Sequence, residues 1–253
     1  MKLEMDEHKF VFICGLHRSG TSIFHRCISD HPQISGFSET GVPEDEGQHL
    51  QDVYKTAKYY SGPGTFGFDK RSHLDETSDL AIKGNSERLF TSWSKYWNLS
   101  KPILVEKSPP NLVRSRFLQE LFPNSYFLIV LRHPVAVSYA TKKWSKTSVN
   151  SLIRHWLVCH EKFMNDKGFL KKCLMVKYED FTEDPRTTLN SVCSFLDIEN
   201  FKSDREIRSD VNQKYLLRWK QLEDAGFYSK AYKKYLIAKY ENRVREFGYS
   251  LKI

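Results

Sequence analysis

Apolar residues gather along this chain in short blocks separated by longer mixed stretches. Four blocks are nearly unbroken: Phe10–Cys14, Ile103–Val105, Tyr126–Leu131 and Leu174–Tyr178. A strand with one wet face would alternate. Continuous apolar runs of strand length predict strands covered on both faces, as in a parallel sheet. Helical spacing follows each block, over Thr21–Ser29, Asn111–Leu121, Val135–Lys143 and Pro185–Phe195, with Asp184 before Pro185 reading as an N-cap followed by an N1 proline. Two further helical patterns, about Gln48 to Tyr60 and about Ser78 to Trp97, flank a turn-rich internal loop at Ser61–Gly67. A basic amphipathic helix is predicted from about Tyr228 to Phe247. The strand–helix alternation predicts an α/β fold, a doubly wound, mostly parallel sheet flanked by helices, as one domain over residues 1–253. Ligands of such sheets sit at the carboxyl ends of the strands.

Composition narrows the class. The 253 residues are 40% hydrophobic with a mean hydropathy of −0.54, which suits a globular protein with a sizeable core. The longest apolar run, Tyr126–Leu131, is far short of a membrane span. The first ten residues mix acids and bases, so no signal peptide is expected. Five cysteines (Cys14, Cys27, Cys159, Cys173, Cys193) are widely spaced without a C-x-x-C, which indicates neither zinc nor a disulfide framework and favours a reducing cytoplasm. Nine scattered histidines give no metal cluster, and no metal is expected. A net charge of +8 calls for an anionic partner without specifying it.

The strongest local signal is Phe10 to Ser22, in which a strand runs into a loop with glycines at 15 and 20 and then into a helix. The glycines allow sharp turns and close approach. Thr21 and Ser22 open a helix whose unpaired N–H groups favour an anion. Arg18 adds a permanent charge in a fork matched to phosphate oxygens, and Ser19 adds a hydroxyl. Thr21 follows Gly20 where a Walker A loop needs lysine, which argues against a P-loop nucleotide kinase.

Arg18-Ser19-Gly20-Thr21-Ser22 after an apolar strand resembles the 5′-phosphosulfate-binding loop of sulfotransferases, which take 3′-phosphoadenosine 5′-phosphosulfate (PAPS) as donor. Three further stretches match in the family's order. Arg132 closing an apolar strand, with Ser138 on the next helix, is similar to the family's 3′-phosphate site. The serine stands six positions after the arginine rather than the usual eight, and position 140 is alanine. A two-residue deletion would restore that match and bring Lys142 to a position where relatives often hold a second base. Thr141 is a rival for the hydroxyl. Tyr178-Glu179-Asp180 is similar to the segment whose tyrosine packs near the adenine. Ser203 to Asn212, then Arg218-Trp219, is similar to the loop closing over the nucleotide in the tyrosylprotein branch, which makes Ser203 and Arg218 nucleotide-contact candidates.

The resemblance implies in-line transfer of a sulfuryl group to an acceptor hydroxyl, with cationic side chains stabilising charge on the leaving nucleotide. Arg18 and Lys107, just after the strand Ile103–Val105, are the candidate stabilisers. The acceptor needs a general base. Glu39, 21 residues past Arg18, matches the tyrosylprotein branch's spacing; His17, His31 and His133 are rivals, His17 ranking second. The acceptor stays open between a peptide tyrosine, a sugar and a small molecule, as does the oligomeric state. The other class of reading, a basic non-catalytic nucleic-acid-binding module, rests only on the net charge and the Tyr/Lys-rich Tyr228–Tyr235. No nucleic-acid partner is expected.

Overall fold

Lys9–Gly15 forms β1 at the centre of a five-stranded sheet of order β2-β3-β1-β4-β5, seen in a computed structural model that describes residues 5–253; the reading of Met1–Glu4 lies outside them. The partners are β2 (Ile34–Gly36), β3 (Ile103–Lys107), β4 (Ser125–Leu131) and β5 (Cys173–Lys177), and every pairing is parallel. The two-residue period of a strand sorts the central side chains onto two faces. Phe10, Phe12, Cys14, Leu104, Phe127 and Ile129 enter one core; Val11, Ile13, Val105, Leu128 and Val130 enter the other. Both faces are covered, as the unbroken apolar runs require.

The aromatic face packs against α2 (Lys83–Trp93), α3 (Ser115–Leu121), α4 (Pro134–Lys142), α5 (Val149–Lys167) and α9 (Phe227–Arg245). The aliphatic face packs against α1 (Thr21–Ser29), α6 (Tyr178–Glu183) and α7 (Pro185–Leu196). Trp93 and Trp156 are fully buried in the larger core, where truncating such a residue typically costs ~3–5 kcal/mol. The short α8 (Gln213–Lys220) lies on α4 and buries Trp219.

Several boundaries differ from the sequence reading. The fifth strand, β2, is only Ile-Ser-Gly, too short to register as an apolar block. Tyr178 opens α6 rather than closing β5. Residues 48–60 form no α-helix but 3-10 turns at Gly47–His49 and Ala57–Tyr60. The cause is side-chain competition for backbone groups: Gln51 Oε1 accepts from the amides of Val53 and Tyr54, and Gln48 Oε1 accepts from Ala57 N. The pattern at 78–97 shortens to α2, and 111–121 breaks at Arg114, whose φ of −139° is not helical. Helix α5, capped by Ser148 Oγ accepting from Ser151 N, was not part of the sequence reading. Among the described residues no helix is long and apolar enough to cross a membrane.

Candidate active site

Parallel pairing brings the carboxyl ends of all five strands to one edge. There Gly15, Lys107 and Leu131 open onto the loops that carry Arg18, the 108–114 segment and Arg132. The loop after β1 is braced by its own serine: Ser19 N donates to Leu16 O (2.9 Å) and Leu16 N donates to Ser19 Oγ (3.2 Å). Ser19 is thus a support of the loop, fully buried. Arg18 sits at φ 72° and Gly20 at φ 93°, so the chain takes two left-handed steps before α1 begins. Gly20 serves as N-cap without a side-chain acceptor, and the first turn of α1 contains no acidic residue. Its first-turn amides are therefore left without a capping side chain, an anion-binding arrangement. A Cβ at Gly20 would collide with the Tyr178 ring. Gly20→Ala is accordingly expected to lower stability by about 1–3 kcal/mol through strain and that clash and to weaken anion binding together with it. Urea unfolding beside calorimetric titration checks this.

Arg132 follows the tip of β4 and is held on three sides. Its Nε donates to Asn212 Oδ1 (2.8 Å), its Nη1 donates to the Arg18 carbonyl (2.7 Å), and its guanidinium lies 4.2 Å from the Tyr178 ring centre. Nη2 is buried and has no partner among the described residues. Burial lowers the Arg132 pKa, and the neighbouring Tyr178 and Glu179 oppose the shift. Behind it, Glu179 accepts from Asn212 Nδ2 (2.6 Å), His133 N (3.1 Å) and Tyr249 OH (2.7 Å). The bond from Arg132 to the Arg18 carbonyl ties the β4 tip to the cradle. Arg18 itself spreads over the exposed Trp144, 3.2 Å from its ring centre.

Lys107 is fully buried, and its Nζ donates to Glu44 O (2.6 Å) with Glu46 Oε1 at 3.4 Å. The adjacent Glu106 is also buried and receives hydrogen bonds from Ser108 and Asn111; burial pushes its pKa up to about 7. Glu39 is exposed, three residues past β2 on the same edge, at φ 56°. Its loop folds back so that Asp45 caps Thr40 and Glu44 Oε2 accepts from Ser22 Oγ (2.9 Å) at the mouth of the cradle. Glu44 (φ 54°) and Asp45 (φ 49°) are both left-handed, so this loop carries backbone strain of a kind common at functional sites.

The structure gathers Arg18, Ser19, Gly20, Thr21, Ser22, Arg132 and Tyr178 in one place, with Lys107 and Glu39 on the same edge. It corrects other assignments. Ser138 is fully buried with its Oγ unpartnered among the described residues, lining a small cavity with His17, Gly64, Leu152 and His155, because position 138 falls on the inward face of α4. Thr141 lines the same cavity. Ser203 donates to Asp30 at the far end of α1, about 13 Å along a nine-residue helix from the cradle, where Arg205 also clasps Asp30. Lys142 and Arg218 are exposed and share a surface depression with Tyr139, Lys143 and Leu222. Two of the rival bases, His31 and His133, serve structure. His31 uses Nε2 on Glu199 O and Nδ1 on Gln33 N; His133 caps α4 with Nδ1 and bonds Ser250 O with Nε2. Burial lowers the His17 pKa to about 3, too weak for a base near neutrality. Sequence reasoning missed Glu44, Trp144 and Glu179 as parts of the site, and used Asn212 only as a landmark.

The residues fit a ligand with two separated anionic groups: uncapped first-turn amides and Arg18 at one end, the free Nη2 of Arg132 at the other. The model of the family described as Sulfotransferase family matches residues 11–203. Protein-tyrosine sulfotransferase of Drosophila melanogaster is 27% identical over 203 residues, 76% of this chain and 38% of that protein. Protein-tyrosine sulfotransferase 2 of Gallus gallus is 23% identical over 203 residues, 76% of this chain and 52% of that protein. The chain thus spans about two fifths to one half of the length of these relatives. A sulfotransferase of Mycobacterium tuberculosis superposes with a TM-score of 0.58 at 14% identity, covering 84% of this chain and 72% of that one. One from Alicyclobacillus acidocaldarius gives 0.52 at 18% identity, covering 83% and 90%. These two structures establish the likeness of fold.

Proposed function

The chain belongs to the sulfotransferase family, and from that membership we propose that it moves a sulfuryl group from PAPS to an acceptor hydroxyl. PAPS would supply an activated sulfuryl group on a bisphosphate leaving group. The observation that carries the reading is the pair of cationic positions, Arg18 in the cradle and Arg132 with its free Nη2, joined by the bond from Arg132 Nη1 to the Arg18 carbonyl. In this reading the first-turn amides of α1, the hydroxyls of Thr21 and Ser22 and the Arg18 fork hold the 5′ end, and Arg132 holds the 3′-phosphate. Tyr178 holds Gly20 and Arg132 in place from below. Lys107, whose ammonium rests on the Glu44 carbonyl beside Glu46, would supply charge to the reacting end once that loop yields, and Glu39 accepts the proton of the acceptor hydroxyl at a carboxylate oxygen.

The binding of Ser22 to Glu44 gives the loop 39–46 a further part: Glu44 must yield when an anion enters the cradle. We take a peptide tyrosine as the first acceptor to test, with sugars and small phenols beside it; the protein-tyrosine sulfotransferases among the relatives support that order. Residues 1–253 would act as one domain, since α9 packs on α5. We also place it in a reducing, cytoplasmic setting, supported by five free cysteines.

The test is a screen with labelled PAPS against tyrosine peptides, oligosaccharides and phenols. Transfer to one class is expected, with kcat falling about 10²–10⁴-fold in Glu39→Gln while affinity for adenosine 3′,5′-bisphosphate is kept. Absence of both transfer and bisphosphate binding would reject the reading, and an unchanged kcat in Glu39→Gln would remove Glu39 from it.

A further inference from the structure

We propose that Tyr215 is a donor-recognition residue, its hydroxyl giving the 3′-phosphate of the nucleotide a hydrogen bond beside those of Arg132. The inference rests on the reading above and names a residue it does not contain. It starts from a deficit. The free Nη2 of Arg132 offers two N–H donors, whereas a phosphate dianion offers more acceptor positions than these fill. The hydroxyl nearest in sequence, Ser138, is fully buried and lines a small interior cavity with Leu16 and His17. Position 140, one half-turn further along α4, carries only a methyl group.

That methyl is where Tyr215 lies. Ala136 and Ala140 stand four apart on one face of α4, and Tyr215 packs on both, 7% exposed, with Val211 and Tyr139 at its sides. Larger residues at 136 and 140 would push α8 away. One turn before Tyr215, Asn212 accepts from Arg132 Nε. Residues three apart in a helix share a face, so the segment that orients the guanidinium also carries the phenol. Tyr215 is close enough to Arg18, Arg132 and Tyr178 to act on the ionisation of all three. Its ring is buried, yet its hydroxyl makes no hydrogen bond among the described residues, while buried Tyr240 bonds Asn150 and Tyr249 bonds Glu179. A phenol oriented by packing, without a partner among the described residues and three residues from the asparagine that holds Arg132, is a preformed donor for an anion.

The experiment is calorimetric titration of wild type and Tyr215→Phe with adenosine 3′,5′-bisphosphate and with adenosine 5′-phosphate. Phenylalanine keeps the ring on Ala136 and Ala140 and removes only the oxygen. The expected result is a loss of about 10-fold or more for the bisphosphate with the monophosphate unchanged. Equal affinity of the two proteins for the bisphosphate, or an equal loss for both ligands, overturns the inference while leaving the transfer reading standing. A wild type that binds no bisphosphate overturns both.

Discussion

Arg132→Ala is expected to weaken binding of adenosine 3′,5′-bisphosphate by about 10²–10³-fold. The guanidinium makes two separate contributions. Its buried, unpartnered Nη2 is the free charged donor, and a hydrogen bond to a charged group is worth ~1.5–3 kcal/mol. Its Nη1 also fixes the Arg18 carbonyl, in a loop held at φ 72°, so truncation loosens the 5′ end of the same ligand site. Together these come to about 3–4 kcal/mol, which is the stated change in Kd. Arg132→Lys separates the terms: lysine keeps the charge but lacks the fork that reaches Asn212 and Arg18 at once, so an intermediate loss is expected. Titration of all three proteins, each with its thermal melt, makes the measurement. An Arg132→Ala protein that melts as wild type and binds within threefold of it would remove Arg132 from the site.

How much of this site could be read beforehand depends on where each residue's partner lies. The cradle was legible because its requirements are local: two glycines, a strand before and a helix after. Arg132 was legible because a charge closing an apolar strand needs a partner. Ser138 was misplaced for want of helix phase. Its distance from Arg132 in sequence is right to within two residues, but two residues on a helix are about 200° of rotation, enough to send a side chain from the cleft into the core. Ser203 was misplaced because the irregular stretch after α7 has no periodicity that could reveal its bond to Asp30, 173 residues earlier. Asn212 and Tyr249 reach Glu179 across 33 and 70 residues, and no short-range pattern signals such pairs. The sheet was legible in four of its five strands, β2 being lost because three residues of mixed character leave no period to detect. The turns at 47–60 were read as a helix because apolar spacing is blind to Gln48 and Gln51 binding the backbone.

Acid is expected to unfold the protein between about pH 5 and 4, and the cause is a set of histidines outside the site. His25 and His155 are buried with pKa values lowered by burial to about 3, and His160 is buried with its pKa lowered to about 4. His155 accepts from Gly67 N through Nε2, which requires the neutral ring, and His160 spends Nδ1 on the Trp156 carbonyl between Trp156 and Phe247. In the unfolded chain each titrates near 6.5. The folded values lie below the unfolded ones, so the unfolded state binds these protons first; their contribution is complete above about pH 7 and is lost as pH falls from 6.5 toward 3. Glu106 has the opposite sign. Its folded pKa of about 7 exceeds the 4.5 of a free glutamate, so the folded state holds that extra proton between 4.5 and 7. His17, also held at about 3, adds to the three histidines, so four protons favour unfolding and one favours folding in that window, a net of three. Stability should then fall by about 4 kcal/mol per pH unit, or roughly 7 kcal/mol from pH 6.5 to 4.5. That is comparable to the whole stability of a marginal domain, and below 4.5 the opposing carboxyl no longer contributes. Urea midpoints followed by tryptophan fluorescence at half-unit steps from pH 7.5 to 4.5 give the slope directly. His160→Gln, which keeps a donor for the Trp156 carbonyl but cannot titrate, should flatten the slope by about one proton. A midpoint independent of pH across that range would mean that these rings are not held neutral by the fold.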